Sequence, residues 1–478
     1  MSKMTYIDSA EEKHRDTRWS HWDAIARKRD SWKGMGSWYH HRIEQVYRFL
    51  VSPGQRVLEV GSGTGNLLTA VQPAYGVGVD FSEEVVKRAK RNHPEIEFNL
   101  ADAHDLSEIS GPFDIIILSD LLNELWDVQG CFEQIKPLCN PRTRIILNFY
   151  SRVWEFPLSI TQLLNLATPT LAQNWLTRHD IANMLNLAGF ETIRSWHEVL
   201  WPLPFGGFFN KFLVRFWPFH ELALANFLVA RPQPEKADHN PIVSVIVPAR
   251  NEAGNIKAIF ERVPQMGQET ELVFVEGHSQ DDTYSAIEKE ISAHPATRSR
   301  LLRQTGIGKA DAVRLGFEHA GGDVLMILDA DLTVPPEELP RFYEALVSGK
   351  GEFINGVRLV YPMEEQAMRS LNFLGNKFFS LAFSWLLGQP IKDTLCGTKV
   401  LWKKDYDRIA ANRSYFGDFD PFGDFDLIFG AAKKNMKIVD LPIRYRERTY
   451  GSTNISRWKH GLLLMRMVAF AARRIKFV

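Results

Sequence analysis

Apolar residues along this chain fall into two series of short runs, each closed by glycines or polar residues. RVLEV (56–60), GVGVD (76–80), IEFNL (96–100) and FDIIILS (113–119) form the first series; IVSVIVPA (242–249), ELVFVE (271–276) and VLMIL (324–328) form the second. Runs this short and this apolar predict strands buried on both faces. The stretches between them predict covering helices, so the fold class is α/β, with two doubly wound domains. Between the series, ARPQPEKADHNP has three prolines and no periodicity, which predicts a linker. The expected organisation is a first domain over 1–232, a linker over 233–241 and a second domain over 242–478.

Three further stretches carry pattern. Before the first run, Trp19, Trp22, Trp32, Trp38 and Tyr39 recur at mixed spacing and predict helices placed to cap a cleft. Trp201 to Val229 is rich in aromatics and broken by Pro202, Pro204 and Pro218. It reads either as a membrane-touching flap, with Phe208, Phe209, Phe212 and Phe216 beside Lys211 and Arg215, or as cover and last strand of the first sheet. At the C-terminal end, Lys459, Arg466 and Arg473 share one face of a predicted amphipathic helix, with Trp458, Leu462, Met465, Ala469 and Ala472 on an adjacent face. Such a helix reads as membrane-surface binding or as a helix packed on the sheet.

Composition narrows the setting. The 57 basic residues balance 57 acidic ones, so nothing draws the whole chain to nucleic acid. Cys131, Cys139 and Cys396 have neither metal-ligand spacing nor the density of a disulfide scaffold. The N-terminus lacks the apolar core of a signal peptide, and no apolar run is long enough to span a bilayer. The expectation is a cytoplasmic protein, peripheral at most to the inner face of the cell membrane.

In the first domain, Gly61, Gly63 and Gly65 let the chain turn sharply and approach a ligand closely. No Lys-Ser/Thr follows, which excludes a nucleoside-triphosphate loop. Asp80 ends the next strand, where a carboxylate can accept both hydroxyls of a ribose. Asp102 and Ala103 follow the third strand, where an adenine ring could lie, and the fourth ends near Ser119 and Asp120. These pieces, in this order from about Tyr39 to Pro232, resemble the Rossmann-like class I S-adenosylmethionine-dependent methyltransferases. The resemblance implies that Glu59 and the glycines border the amino-acid end of S-adenosylmethionine. It places Asp80 on the ribose, Asp102 and Ala103 at the adenine, and Ser119 near the methyl group. Methyl transfer needs alignment more than a base; Asp120, Glu124 and His197 are base candidates, and Tyr39, His40 and His41 are candidate ligand contacts.

In the second domain an apolar run ends in Asp329 and Asp331. Two carboxylates there suit Mg²⁺ or Mn²⁺ holding a diphosphate, or a plain turn in which Thr333 caps a helix. The blocks from Asn240 onward resemble the family 2 glycosyltransferases of the GT-A fold. By that resemblance Pro248, Arg250, Glu252 and Glu276 surround the base and ribose of a nucleotide sugar, GDP-mannose or UDP-hexose. Lys309 lies nearby, and Asp329 and Asp331 hold the metal. The chain has Glu276-Gly277-His278-Ser279 where the family has Asp-Asp-Gly-Ser.

On the acceptor side, GVRLVYPMEEQAMRSLNFLGN, IKDTLCGTKVL, FGDFDLIFGAAKKN and LPIRYRERTYGSTNISRW carry Arg358, Arg369, Arg444, Arg446 and Arg448. Guanidinium forks match phosphate oxygens. These blocks resemble the polyprenyl-phosphate mannosyl- and glucosyltransferases, which implies an acceptor phosphate held by Arg358, Arg369, Arg448 and the Tyr450-Gly451-Ser452 turn. A lipid phosphate needs no base, whereas a sugar hydroxyl does. Asp424 as a base would indicate a glycan hydroxyl; Asp424 and Asp426 as braces for the arginines would indicate a phosphate. The expected protein is a bifunctional methyl- and glycosyltransferase, with Asp329, Asp331, Asp424 and Arg448 at the glycosyl-transfer centre. The alternative for the first domain is a cofactor-binding module without methyl transfer.

Overall fold

The computed structural model describes residues 2–28, 36–163, 171–237, 240–358, 370–413, 425–444, 446, 450 and 457–477. The chain divides into two compact units, Met1–Gln233 with Phe477–Val478, and Pro234–Lys476. Both are α/β, each built on a mixed seven-stranded sheet.

The first sheet comprises β1 (Arg56–Val60), β2 (Tyr75–Asp80), β3 (Glu97–Leu100), β4 (Phe113–Ser119), β5 (Cys139–Tyr150), β6 (Phe190–Glu198) and β7 (Ala225–Pro232), in spatial order 3-2-1-4-5-7-6. β7 runs antiparallel to both its neighbours; β1 to β5 pair in parallel. Side chains alternate along the strands. Leu58, Val60, Ile116, Leu118, Ile145 and Leu147 therefore enter one apolar layer, and Val57, Ile115, Ile117 and Ile146 the other. Two covered faces explain why these strands are apolar throughout.

The second sheet comprises β8 (Val243–Ala249), β9 (Thr270–Glu276), β10 (Ser299–Arg303), β11 (Val324–Ile327), β12 (Phe353–Val357), β13 (Lys399–Trp402) and β14 (Ile438–Pro442), in order 10-9-8-11-13-12-14. β13 is antiparallel to β11 and β12. In each sheet the first strand lies between the second and the fourth, β2 and β4 in one case and β9 and β11 in the other, so the strand order reverses there. That is the switch point at which open α/β sheets present a crevice.

Two patterned stretches resolve in detail. Within Trp201 to Val229, Ala225 onward is β7, while many aromatics ahead of it face solvent. The C-terminal helix Arg457–Ala471 packs against Ser370–Leu387. It buries Leu464, Met467 and Ala471, whereas Leu462 and Met465, on the expected apolar face, are 60% and 48% exposed. No described helix is long and apolar enough to cross a membrane.

Candidate functional site

In the first unit the candidates gather where β1, β2 and β4 end. Gly61, Gly63 and Gly65 all have positive φ (74°, 51° and 80°), which only glycine adopts without strain. A Cβ on Gly61 would stand 2.9 Å from Leu121, and one on Gly65 would strike the Phe98 ring. Asp80 holds this turn in place: Gly63 N donates to Oδ2 and Ser82 N to Oδ1, both at 3.0 Å. Burial pushes its carboxyl up to about 6. Glu59 is 2% exposed and also raised by burial, and its Oε2 has no hydrogen-bond partner. Asp102 accepts from His104 N at 2.9 Å and meets His104 Nδ1 at 2.7 Å. Burial works to raise Asp102, but the His104 contacts more than offset it.

Beside these groups lies a cavity with ≈ 620 Å³ of empty space, part of it open to solvent. Gly61, Asp80, Asp102 and Ala103 line it with Val60, Val79, Phe81 and Leu121; Glu59, Gly63, Gly65 and Ser119 are not among its lining residues. The helix Ser2–Lys28 contributes Glu11, His14, Arg15, Arg18 and Trp22 to its wall. Arg18 Nε pairs with Glu124 Oε2 at 3.0 Å, which fastens that helix to the segment after β4.

The base candidates part company. Glu124 lines the cavity. Asp120, at φ 53°, accepts from Tyr39 Oη (2.6 Å) and Asn148 Nδ2 (2.5 Å) on one oxygen, and burial raises its carboxyl to about 7. His197 is buried on β6, stacked on His220 at 5.1 Å, with neither ring nitrogen hydrogen-bonded. His197, His220 and Glu221 bring their ligand atoms within 4.8 Å of one another. Tyr39 is buried, whereas His40 and His41 are exposed.

In the second unit Asp329 follows β11, and its Oδ1 pairs with Lys309 Nζ at 2.6 Å. Lys309 opens the helix Lys309–His319. Gly397 closes the far side: a Cβ there would overlap both Asp329 Oδ2 and Lys309 Nζ. Burial works to raise the Asp329 carboxyl, but Lys309, with Lys399 and Arg358 beyond, holds it below its ordinary value. Asp331 Oδ1 accepts from Thr333 N (3.1 Å) and Oγ1 (2.8 Å). Thr333 O in turn accepts from Arg446 N at 2.9 Å, which ties the carboxylate loop to the arginine-rich block.

The loops after β8 and β9 are laced together. Gly277 N donates to Ala249 O (2.9 Å), Asn251 N to Ser279 Oγ (3.0 Å) and Gln280 N to Asn251 Oδ1 (2.7 Å). Pro248 is half-buried on β8 and Arg250 is exposed. Glu252 is buried and accepts from Asn255 Nδ2 at 2.8 Å; Glu276 accepts from Ser279 N at 2.5 Å. Tyr450 lies against Gly254, where a Cβ would stand 2.6 Å from its ring.

Arg358 is engaged inside the protein. It forks onto buried Asp393 through Nε–Oδ2 (2.7 Å) and Nη2–Oδ1 (3.0 Å). Asp426 is 7% exposed and pairs with Arg314 (3.1 Å) and Arg413 (2.9 Å). Arg369, Asp424, Arg448 and Ser452 lie outside the described residues. Sequence reasoning passed over Asp393 and Lys399, although both stand in IKDTLCGTKVL. Lys399 is fully buried and donates to Cys396 O; a lysine six residues after the block's lone aspartate was the available signal.

Comparison with known proteins assigns the two units. Residues 35–195 match the family model described as a methyltransferase domain, and residues 244–409 match glycosyl transferase family 2. Dolichol-phosphate mannosyltransferase of Pyrococcus furiosus is 37% identical over 218 residues, 45% of this chain and 59% of that protein. Undecaprenyl-phosphate 4-deoxy-4-formamido-L-arabinose transferase of Aeromonas hydrophila is 34% identical over 112 residues, 23% of this chain and 34% of that protein. The chain thus spans well under two thirds of either relative. Among solved structures, magnesium protoporphyrin IX methyltransferase of Synechocystis, with bound SAH, aligns at 17% identity and TM-score 0.33 over 47% of this chain and 99% of that one. This chain joins an N-terminal methyltransferase domain to a C-terminal domain of glycosyl transferase family 2.

Proposed function

We propose that the second unit transfers a hexose from a nucleotide sugar to a polyprenyl-phosphate-type acceptor, and that the first transfers a methyl group from S-adenosylmethionine. The observation carrying the first part is the Asp329 carboxylate, paired with Lys309 and pressed by Gly397, on a loop bonded to the arginine-rich block. Relatives named for dolichol and undecaprenyl phosphates support the acceptor class. Asp329 and Asp331 offer hard oxygen donors, and Gly397 keeps side-chain atoms away from Asp329 Oδ2, so the pair fits Mg²⁺ or Mn²⁺. Bound there, the cation supplies charge stabilisation to the leaving diphosphate. Lys309 adds positive charge at the same point, and the laced loops after β8 and β9 position the nucleoside. A lipid phosphate attacks as an anion without a general base, and a single displacement inverts the anomeric carbon. The work takes place at a membrane surface, which the exposed Leu462 and Met465 beside Arg466 and Arg473 suit.

The full chain, given labelled GDP-mannose or UDP-glucose, polyprenyl phosphate and Mn²⁺, is expected to move label into the organic phase, and EDTA to stop it. Label on soluble glycans alone overturns the acceptor.

For the first unit, Asp80 and Asp102 set among the apolar walls of Val60, Val79, Phe81 and Leu121 suit an adenosine, and Glu59, buried at the end of β1 outside the cavity lining, has an Oε2 without a hydrogen-bond partner. Asp80, raised to about 6, accepts hydroxyl donors best when ionised. S-adenosylmethionine affinity is therefore expected to rise roughly tenfold as pH passes upward through about 6, and Asp80→Asn to flatten that rise. Calorimetric titration across this range decides, and an unchanged profile in the variant removes Asp80 from the site.

A further inference from the structure

Between β6 and β7 the chain makes an arm whose surface is unlike that of an ordinary soluble protein. Phe205 is 93% exposed, Trp217 78%, Phe208 61%, Leu222 55%, Phe216 46% and Phe212 45%. The patch is continuous where Phe208 stacks on Phe212 at 5.8 Å. Contiguous apolar surface beyond a few hundred Å² marks an interaction site.

Phe212 and Phe216 lean on the Phe477 ring at 4.9 and 6.4 Å, and Phe205, Phe208 and Trp217 face outward from a well-fastened base, so they are not core residues left unpacked. Asn210 bridges Trp201 by two 2.7 Å hydrogen bonds, and Val214 is 1% exposed. Arg215 pairs with buried Glu198 at 2.7 Å, and Arg42 takes the other Glu198 oxygen at 3.1 Å. On the return, Trp154 Nε1 donates to Leu222 O at 2.8 Å.

Two observations identify what covers this face. Between Trp201 and Leu222 the charged residues are Lys211, Arg215 and Glu221; Arg215 is held by Glu198 and Glu221 lies 3.1 Å from His220 at the far end of the arm, so Lys211 is the exposed charge among the phenylalanines. Tryptophan and phenylalanine around a lysine suit the boundary between headgroups and acyl chains. The second observation is topological. Glu198 ends β6 opposite Ala225 of β7, which pairs with Tyr150 at the end of β5, itself parallel to β4. The arm thus leaves the same edge of the sheet as the cofactor cavity, three strands from β4, about 14 Å at the usual spacing.

We infer that this arm seats the first unit on a lipid bilayer, and that the group it methylates is carried by a membrane lipid. The inference rests on the first unit being a methyltransferase and is independent of the second unit's acceptor.

Flotation of the full chain with phosphatidylcholine vesicles containing phosphatidylglycerol tests the arm. Wild type is expected to float, and Phe205→Ser with Trp217→Ser to cut the floated fraction at least about fivefold. Both side chains lie outside the cavity, so unchanged S-adenosylmethionine affinity reports that the variant is folded. Lys211→Glu is expected to weaken binding to anionic vesicles and spare neutral ones. Wild type remaining in the soluble fraction overturns the arm's role, as does a variant that floats like wild type. A wild-type dimer that the double substitution converts to monomer also overturns it, because the arm is then a protein interface. With methyl-labelled S-adenosylmethionine and a total lipid extract, label is expected in the organic phase; label only in water-soluble product overturns the lipid acceptor. Sugar transfer to a short-chain, water-soluble polyprenyl phosphate separates the readings: if it fails while flotation persists, only the second unit's acceptor is lost.

Discussion

Asp329→Asn is expected to lower the proposed sugar transfer by at least about 100-fold, the scale seen when one preorganised charge partner of a transition state is removed, while S-adenosylmethionine binding stays unchanged. The substitution keeps the shape of the side chain and removes its charge. In the native protein that charge is balanced by Lys309 at 2.6 Å, with Lys399 and Arg358 contributing from further off. Neutralising it leaves Lys309 without its carboxylate partner, and that ammonium repels the divalent ion the site is proposed to hold. Loss should therefore appear in the maximal rate and in the concentration of Mn²⁺ required. Label transfer at saturating nucleotide sugar, paired with calorimetry of S-adenosylmethionine, separates a local effect from collapse. Residual activity near wild type removes Asp329 from the centre, and loss of both functions means the units do not work separately.

Asp393→Ala is expected to destabilise the protein by about 3–5 kcal/mol, because it strands a partly buried guanidinium without its counter-charge. Asp393 is 3% exposed and accepts three hydrogen bonds from Arg358, two from the side chain and one from the backbone at 3.2 Å. Burial works to raise its carboxyl, but Arg358 more than offsets this and holds it below the ordinary value. The linkage sign follows: stability from this pair is full above the ordinary aspartate range and is lost as pH falls through the lowered native value. Replacing both partners, with Arg358→Met added, should recover much of the loss, since the expensive state is the unpaired charge. Urea unfolding near neutral pH measures both variants, and a loss under about 1 kcal/mol for Asp393→Ala contradicts the buried-pair account.

What the chain discloses before folding depends on whether the physical cause is local. The runs at 56–60, 113–119, 243–249 and 324–327 are strands whose positions are mostly buried, and nearly uninterrupted apolar character shows that directly. β10, SRLLR, was missed for the opposite reason: it is an edge strand with half-buried residues and an arginine near each end, so its pattern is diluted. The C-terminal helix shows a different limit. Its period is readable, but which side is covered depends on Ser370–Leu387, far away in sequence, and the face carrying Leu462 and Met465 stays in solvent. The donor carboxylates were visible as a two-residue motif, and Lys309 as part of a nearby block. Asp393 was not, because its importance comes from meeting Arg358 across the sheet. The arginines read as phosphate ligands show the same limit: charge type is written in the sequence, whereas the internal engagement of Arg358 is not.

Gly397 sets the mutational tolerance of the donor site. Every other residue carries a Cβ, and that atom falls on Asp329 Oδ2 and Lys309 Nζ, so any substitution there, alanine included, makes the ends of those two side chains shift. A position that offers no side-chain chemistry thus sets where the ion pair can stand.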